Sequence, residues 1–350
     1  MKIHIVRLLY IFFLSSFFIA LLWHYYSQRD AAPSTPHSVT NKNPAINKKY
    51  DSSDKLLGND IFKWKKQENN IQLFRSLLSS SCNAISNAVV TQENSPVGTN
   101  ISYDAAKKKA RVTPELFDIF PKESPFKKAP WDTCAVVGNG GILAKSGCGK
   151  QIDSASFVIR CNLPPVSNGH EKDTGNKTNL VTANPSILFQ KYQALNSHQR
   201  PFVTDMQVYG DSLLLLPAFS FQQNTAVSLR ALYSLSDFSN NGPRAIFLNP
   251  SYLRNLTGFW RGQGIRSVRL STGIMMVSLA LELCNNVNLY GFWPFGTHPH
   301  THQQLNNHYY DNKPANKRMH SMPAEFKVLQ NLHNMGVIHV HLGECTNEQE

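Results

Sequence analysis

What this 350-residue sequence lacks narrows its chemistry first. It has no C-x-x-C pair and no H-E-x-x-H helix, so the common zinc-site patterns are excluded. No D-x-D carboxylate pair occurs anywhere, which removes a simple carboxylate ligand set for a divalent cation. No internal repeat is found, so a solenoid or propeller is excluded. Acidic residues are few, 23 Asp+Glu against 35 Lys+Arg. That balance fits an anionic partner: nucleic acid, an anionic membrane face or a phosphate-bearing substrate. At 41% hydrophobic, the chain has enough apolar residues to build a sizeable core.

The N-terminus chooses among these. MKIHIVR is followed by LLYIFFLSSFFIALLW, sixteen residues without charge, and then by HYYSQRD, which offers no A-x-A-like cleavage site. With the interfacial Trp23, Tyr25 and Tyr26, this run suits a thin bilayer of the early secretory pathway. Lys2 and Arg7 place the N-terminus in the cytosol by the positive-inside rule, against the later Lys48 and Lys49. The reading is a type II protein: cytosolic tail 1–7, signal anchor 8–26, lumenal stem 27–125 and catalytic domain 126–350. A signal peptide is the alternative. Asn100, Asn176 and Asn255 open N-x-S/T sequons, and six cysteines in an oxidising lumen suggest disulfides. Nuclear nucleic-acid binding is not expected.

Residues 27–125 are mostly polar, too poor in apolar residues to offset chain entropy, apart from a helix expected around 59–80. Beyond 131, short apolar runs (AVV, FVIR, NLVT, LLLL, AIFL, VNLYGF, VIHVHL) alternate with helical segments. That alternation predicts an α/β fold with a mainly parallel sheet covered by helices on both faces. Ligands of such sheets bind beyond the carboxyl ends of the strands. Three constellations stand there.

In 134-CAVVGNGGILAKSGCG-149, a strand runs into a glycine turn that lets backbone approach a ligand. A dinucleotide fingerprint fails, because Leu143 stands where its last glycine belongs and Asp153 comes too early. In 268-VRLSTGIMMVSLALELC-284, Ser271-Thr272-Gly273 opens an apolar helix. Ser271 either caps that helix or, with its neighbours, presents free N–H groups to phosphate. In 308-HYYDNKPANKRMHSMPAEF-326, Pro323 suits a first helical turn, so His320 sits at or before a helix N-terminus. The positive end of the helix favours neutral imidazole, the form a general base needs, although a capping or surface histidine fits equally. His298, His300 and His302 form a loop poorly suited to metal binding.

Together these stretches resemble the long motif (134 onward, through RCNLPP and TANPS), the short motif (RLSTG…GFWPF), the third motif (His308–Asp311) and the very short motif (His320–Glu325) of animal sialyltransferases. The details RCNLPP, GFWPF and HYYDN resemble the α-2,8 branch, and there its mono- and oligosialylating members: type VI, GD3 synthase and type V. The resemblance implies a single Rossmann-like domain, the GT-A-like variant of these enzymes. It implies inverting transfer from CMP-sialic acid to a terminal sialic acid of a glycoprotein or glycolipid, at the Golgi membrane, with no cofactor and no metal. His320 would be the base and His308 would stabilise the departing phosphate. Asn139, Asn162, Asn184, Pro185 and Ser186 would contact the donor, Ser271, Thr272 and Gly273 would hold its nucleotide, and Trp293 would line the pocket. The family pattern pairs Cys134 with Cys284 and Cys148 with Cys345, leaving Cys82 and Cys161 unassigned. The HPHTH loop would border the acceptor. A polysialic-acid synthase and a silent glycan-binding relative are the alternatives; the modestly basic 104–130 favours short products. Acceptor class and homodimer formation stay open.

Overall fold

Seven short apolar runs become seven strands of one wholly parallel sheet. A computed structural model describes residues 64–104, 107–238, 241–313 and 322–345. The expected tail 1–7, anchor 8–26, early stem and His320 lie outside the described residues. The strands are β1 (Trp131–Val137), β2 (Phe157–Arg160), β3 (Leu180–Thr182), β4 (Leu213–Leu216), β5 (Arg244–Phe247), β6 (Cys284–Tyr290) and β7 (His339–His341). Their order is β5-β4-β3-β2-β1-β6-β7, so the chain first winds outward from β1 on one side and then returns to its other side. This is a topological switch point at β1, where open parallel sheets place their ligands.

Alternate residues of the central strands feed two cores, as a period of two requires. Val136, Ile159, Leu215 and Ile246 enter one. Leu214, Leu216 and Phe247 enter the second, and Ala135, Val137 and Val158 lie in a smaller cluster. The layer on the first face is built by α1 (Glu68–Cys82), α4 (Pro250–Gly262), α5 (Thr272–Leu283) and α6 (Met322–Asn334). The other face carries α2 (Pro185–Gln190) and α3 (Gln222–Phe238). From Ile274 to Leu283 every residue of α5 is buried, the pattern of a helix covered all round. Its one acid, Glu282, accepts the Ala84 N–H at 2.8 Å. Burial pushes that carboxyl up to about 7.

The stem expectation needs correction. Ile71, Phe74, Leu78 and Cys82 make a buried stripe on α1, and Arg75 Nε donates to Leu281 O at 3.0 Å. The Trp64 indole N–H reaches Ile338 O at 2.8 Å. Tyr103, Phe120 and Phe126 are buried too. Residues 64–125 therefore belong to the folded body; averaging over a polar segment hid sparse but well-spaced apolar anchors. Among the described residues no helix is long and apolar enough to cross a membrane.

Both expected disulfides are present. Cys134–Cys284 ties β1 to β6, and Cys148–Cys345 ties the C-terminal segment to the loop after β1. Cys82 and Cys161 are free and buried. Asn100, Asn176 and Asn255 are all exposed.

Candidate active site

The carboxyl ends of β1, β2, β3 and β6 converge with the N-terminus of α5, and side-chain amides stitch them together. Asn139, just past β1, donates Nδ2–H to Cys161 O at 2.8 Å. Asn162, past β2, adopts a left-handed φ of 63°, a conformation asparagine tolerates. Its Oδ1 accepts the Asn184 N–H at 2.9 Å. Asn184, at the start of α2, accepts from Thr272 Oγ1 at 3.0 Å. Hydrogen bonds thus link the expected donor contacts Asn162, Asn184 and Thr272, and Asn139 joins them through the carbonyl of Cys161, the residue before Asn162. Pro185 and Ser186 occupy the first turn of α2. Among the described residues Asn139 Oδ1 is buried without a hydrogen-bond partner.

The glycine turn has a different cause from the one expected. A Cβ on Gly138 or Gly140 would sit 2.8 or 2.6 Å from Gly291 O, and Gly291 itself has a φ of +73°. The Gly138 and Gly140 N–H groups donate to Tyr290 O and Gly291 O at 2.7 and 2.9 Å. These glycines let the turns after β1 and β6 lie backbone to backbone, so the close approach is made by the protein's own chain.

Ser271 serves as the cap of α5: its Oγ accepts the Ile274 N–H at 3.2 Å. The same hydroxyl donates to Glu325 Oε2, and the Ser271 N–H donates to Glu325 Oε1 at 2.9 Å. That leaves the hydroxyl one lone pair for any ligand. Phosphate recognition at this end would fall chiefly to the backbone of Thr272 and Gly273, whose first-turn N–H groups have no intrahelical acceptor. A Cβ on Gly273 would lie 3.0 Å from the Phe292 ring, so the turn after β6 packs closely on α5 here. Trp293 donates its indole N–H to Thr297 O at 2.8 Å and meets Phe326 of α6 edge to face at 5.2 Å.

His308 joins the first constellation from another part of the chain. It forms an isolated antiparallel bridge with Gly140, and the Tyr309 N–H donates to Asn139 O at 3.0 Å. His308 Nδ1 lies 2.6 Å from Asp311 Oδ1, which orients the ring, and Asn307 Nδ2 lies 3.3 Å from its Nε2. Burial raises the Asp311 carboxyl, but the His308 and Lys313 N–H bonds and nearby positive charge outweigh it and hold it below the ordinary range. His320 precedes α6 by two residues in sequence, and Glu325 locks the first turn of that helix onto Ser271. Glu325 was quoted within its motif, but the sequence held no signal that it would bond a residue 54 positions away.

Residues 85–337 match the model of glycosyltransferase family 29 (sialyltransferase). The chain belongs to that family. It is 46% identical over 284 residues to mouse alpha-2,8-sialyltransferase 8F, covering 81% of this chain and 71% of that one. It is 43% identical over 286 residues to rat alpha-2,8-sialyltransferase 8E, covering 81% and 76%. It is also 43% identical over 283 residues to bovine alpha-N-acetylneuraminide alpha-2,8-sialyltransferase, covering 81% and 79%. The candidate site described above lies at the switch point of this sialyltransferase's sheet.

Proposed function

We propose that this sialyltransferase moves sialic acid from CMP-sialic acid to the 8-hydroxyl of a terminal sialic acid, with inversion and without a metal. The observation that carries the α-2,8 assignment is the 42–46% identity, over 81% of the chain, to relatives that bear that name. Asn139, Asn162 and Asn184, continued by Pro185 and Ser186, are the donor cradle. Thr272 and Gly273 offer backbone N–H groups to the phosphate, Ser271 holds their turn in place, and Trp293 lines the pocket.

Loss of CMP leaves a cation-like sugar, so the barrier falls where donors meet the growing phosphate charge. His308, held by Asp311, gives its proton or charge to that phosphate. His320 removes the proton of the attacking hydroxyl, a role that typically contributes about 10²–10⁴-fold. In this reading the protein's own donors carry the phosphate charge, and EDTA leaves turnover intact. The polar early stem and the apolar run 8–26 fit a type II Golgi enzyme with a lumenal catalytic body, whose stem ends before residue 64. Exposed Asn100, Asn176 and Asn255 suit N-glycosylation.

The test supplies CMP-sialic acid and EDTA with sialyl-α-2,3-galactosyl O-glycan and ganglioside GM3, each beside its unsialylated counterpart. Product on sialylated acceptors only is expected, and the preferred one names the acceptor class. Product on unsialylated galactose would move the enzyme to another linkage.

A further inference from the structure

Residues 100–111, expected in the stem, contain a two-stranded antiparallel hairpin, Asn100–Ser102 against Lys109–Arg111. The hairpin is sewn to the segment that leaves the carboxyl end of β4. The Asp104 N–H donates to Phe219 O at 3.0 Å. Thr225 Oγ1 gives its one hydrogen to Ala218 O at 2.8 Å, so the Tyr103 hydroxyl donates to that oxygen at 3.0 Å. Tyr103 is buried, its ring tilted 6.3 Å from that of Phe219. From α4, Arg254 Nη1 donates to Ser102 O at 3.1 Å. Asp104 is thereby fixed beside the turn after β4, one strand outward from Asn184, which follows β3.

From there Asp104 reaches the entry of α5. Its Oδ2 lies 4.0 Å from Arg269 Nη2, with the two side chains 18% and 25% exposed. The Arg269 guanidinium also stands over the Phe221 ring at 5.6 Å, a cation–π geometry. Burial pushes the Asp104 carboxyl above its ordinary value, opposed by Arg269 and then by Arg254. A partly buried pair of this kind is screened less than a surface one.

Arg269 stands two residues before Ser271, and the intervening Leu270 is buried in the first core. The entry of α5 is therefore held at three points. Asp104 holds Arg269, Glu325 holds the Ser271 N–H at 2.9 Å, and Asn184 holds Thr272 Oγ1 at 3.0 Å. The last two holds come from motif residues of α6 and of the turn after β3. The first comes from a part of the chain outside the four motifs. Backbone donors stabilise a developing charge only while they stay aimed at it, so each hold bears on how Thr272 and Gly273 present their N–H groups.

We propose that Asp104 and Arg269 are positioning residues for the donor: their ion pair latches the hairpin to the turn whose Thr272 and Gly273 N–H groups meet the nucleotide's phosphate. The latch rests on the phosphate placement proposed above. It acts through the backbone of α5, so its loss weakens donor binding and leaves the acceptor untouched.

The experiment uses the full chain, Asp104→Asn, Arg269→Gln and the double variant. Calorimetry gives Kd for CMP, steady-state kinetics gives KM for CMP-sialic acid and 3′-sialyllactose, and circular dichroism checks the fold. Each single variant is expected to weaken CMP about two- to fivefold, the range of a partly exposed ion pair. The donor KM rises with it, the acceptor KM is unchanged, and the double variant loses no more than either single, because both act through one contact. Losses that multiply in the double variant, or an Arg269→Gln loss far beyond that of Asp104→Asn, would overturn the latch. Amide hydrogen exchange of the wild type tests the placement beneath it. Unaltered exchange at Thr272 and Gly273 with CMP bound would overturn the placement and the latch together. Protection there, with wild-type CMP affinity in the folded variants, would overturn the latch alone.

Discussion

Glu325 accepts both the backbone N–H and the hydroxyl hydrogen of Ser271, so one buried carboxylate joins the first turn of α6 to the cap of α5. The helix that follows His320 and the helix end assigned to the nucleotide are thereby fixed to each other. Hydrogen bonds to a charged group contribute about 1.5–3 kcal/mol each. Glu325→Gln keeps one acceptor and loses the charge. It should lower kcat about tenfold, and Glu325→Ala about a hundredfold or more. Steady-state kinetics with circular dichroism as a fold control checks this; wild-type kcat in a folded Glu325→Ala would remove the positioning role.

Asp311 should matter through His308 and only in the transition state. Asp311→Asn removes the carboxylate that orients the His308 ring while leaving a side chain of similar shape. An interaction realised only as phosphate charge grows lowers kcat and kcat/KM equally. A fall of about ten- to a hundredfold in both, with unchanged KM for CMP-sialic acid, is expected. A raised donor KM with unchanged kcat would mean that the Asp311–His308 pair binds ground state and transition state alike.

A second histidine group sets the acid limit of stability. His339 stacks on the Trp64 ring at 4.5 Å and lies tilted 4.0 Å from His341, which in turn stacks on Tyr290 at 4.3 Å. Burial, and next His333, lower His339 to about 4; burial and the other two rings lower His341 to about 3. Both folded values lie below the unfolded value of about 6.5. The sign follows: stability is whole above about pH 6.5 and is lost as the unfolded chain takes up protons below it. His339→Phe keeps the stack on Trp64 and removes one titrating site. Its melting temperature should fall less steeply between about pH 6.5 and 4 than that of wild type. Parallel curves would show that the cluster does not govern acid unfolding.

Glu282 has the opposite sign. Its folded value, raised to about 7 by burial, makes its contribution complete below the unfolded carboxyl value and lost as pH rises through about 7. Glu282→Gln should flatten the melting temperature between about pH 5 and 8. An unchanged slope there would place the alkaline loss elsewhere.

The sheet was legible because each buried parallel strand is a short unbroken apolar run, and all seven runs became strands. The helices between them were legible from their 3.6-residue period, as in Pro250–Gly262 with its buried Tyr252, Leu253, Leu256 and Trp260. Apart from the helix expected around 59–80, the body between residues 64 and 125 was not, because Trp64, Tyr103 and Phe120 are too widely spaced to raise local hydrophobicity, and their partners Ile338, Thr225 and Phe219 lie far along the chain. The amide chain from Asn139 to Thr272 spans residues over 130 positions apart. Motif resemblance could name its members, but only the fold shows that they touch. The glycine turn was legible as a close approach, while its partner, Gly291, was not. Ser271 was left between cap and phosphate ligand, and the structure gives its hydroxyl to the cap and to Glu325.

The most direct measurement is the bond formed. The full chain is incubated with CMP-sialic acid and a sialyl-α-2,3-galactosyl acceptor, and the linkage of the product is determined by nuclear magnetic resonance. The account predicts a new bond from C2 of the transferred sugar to O8 of the acceptor's sialic acid, with stoichiometric CMP release. A bond to galactose, or folded enzyme that binds CMP yet makes no product, would contradict it.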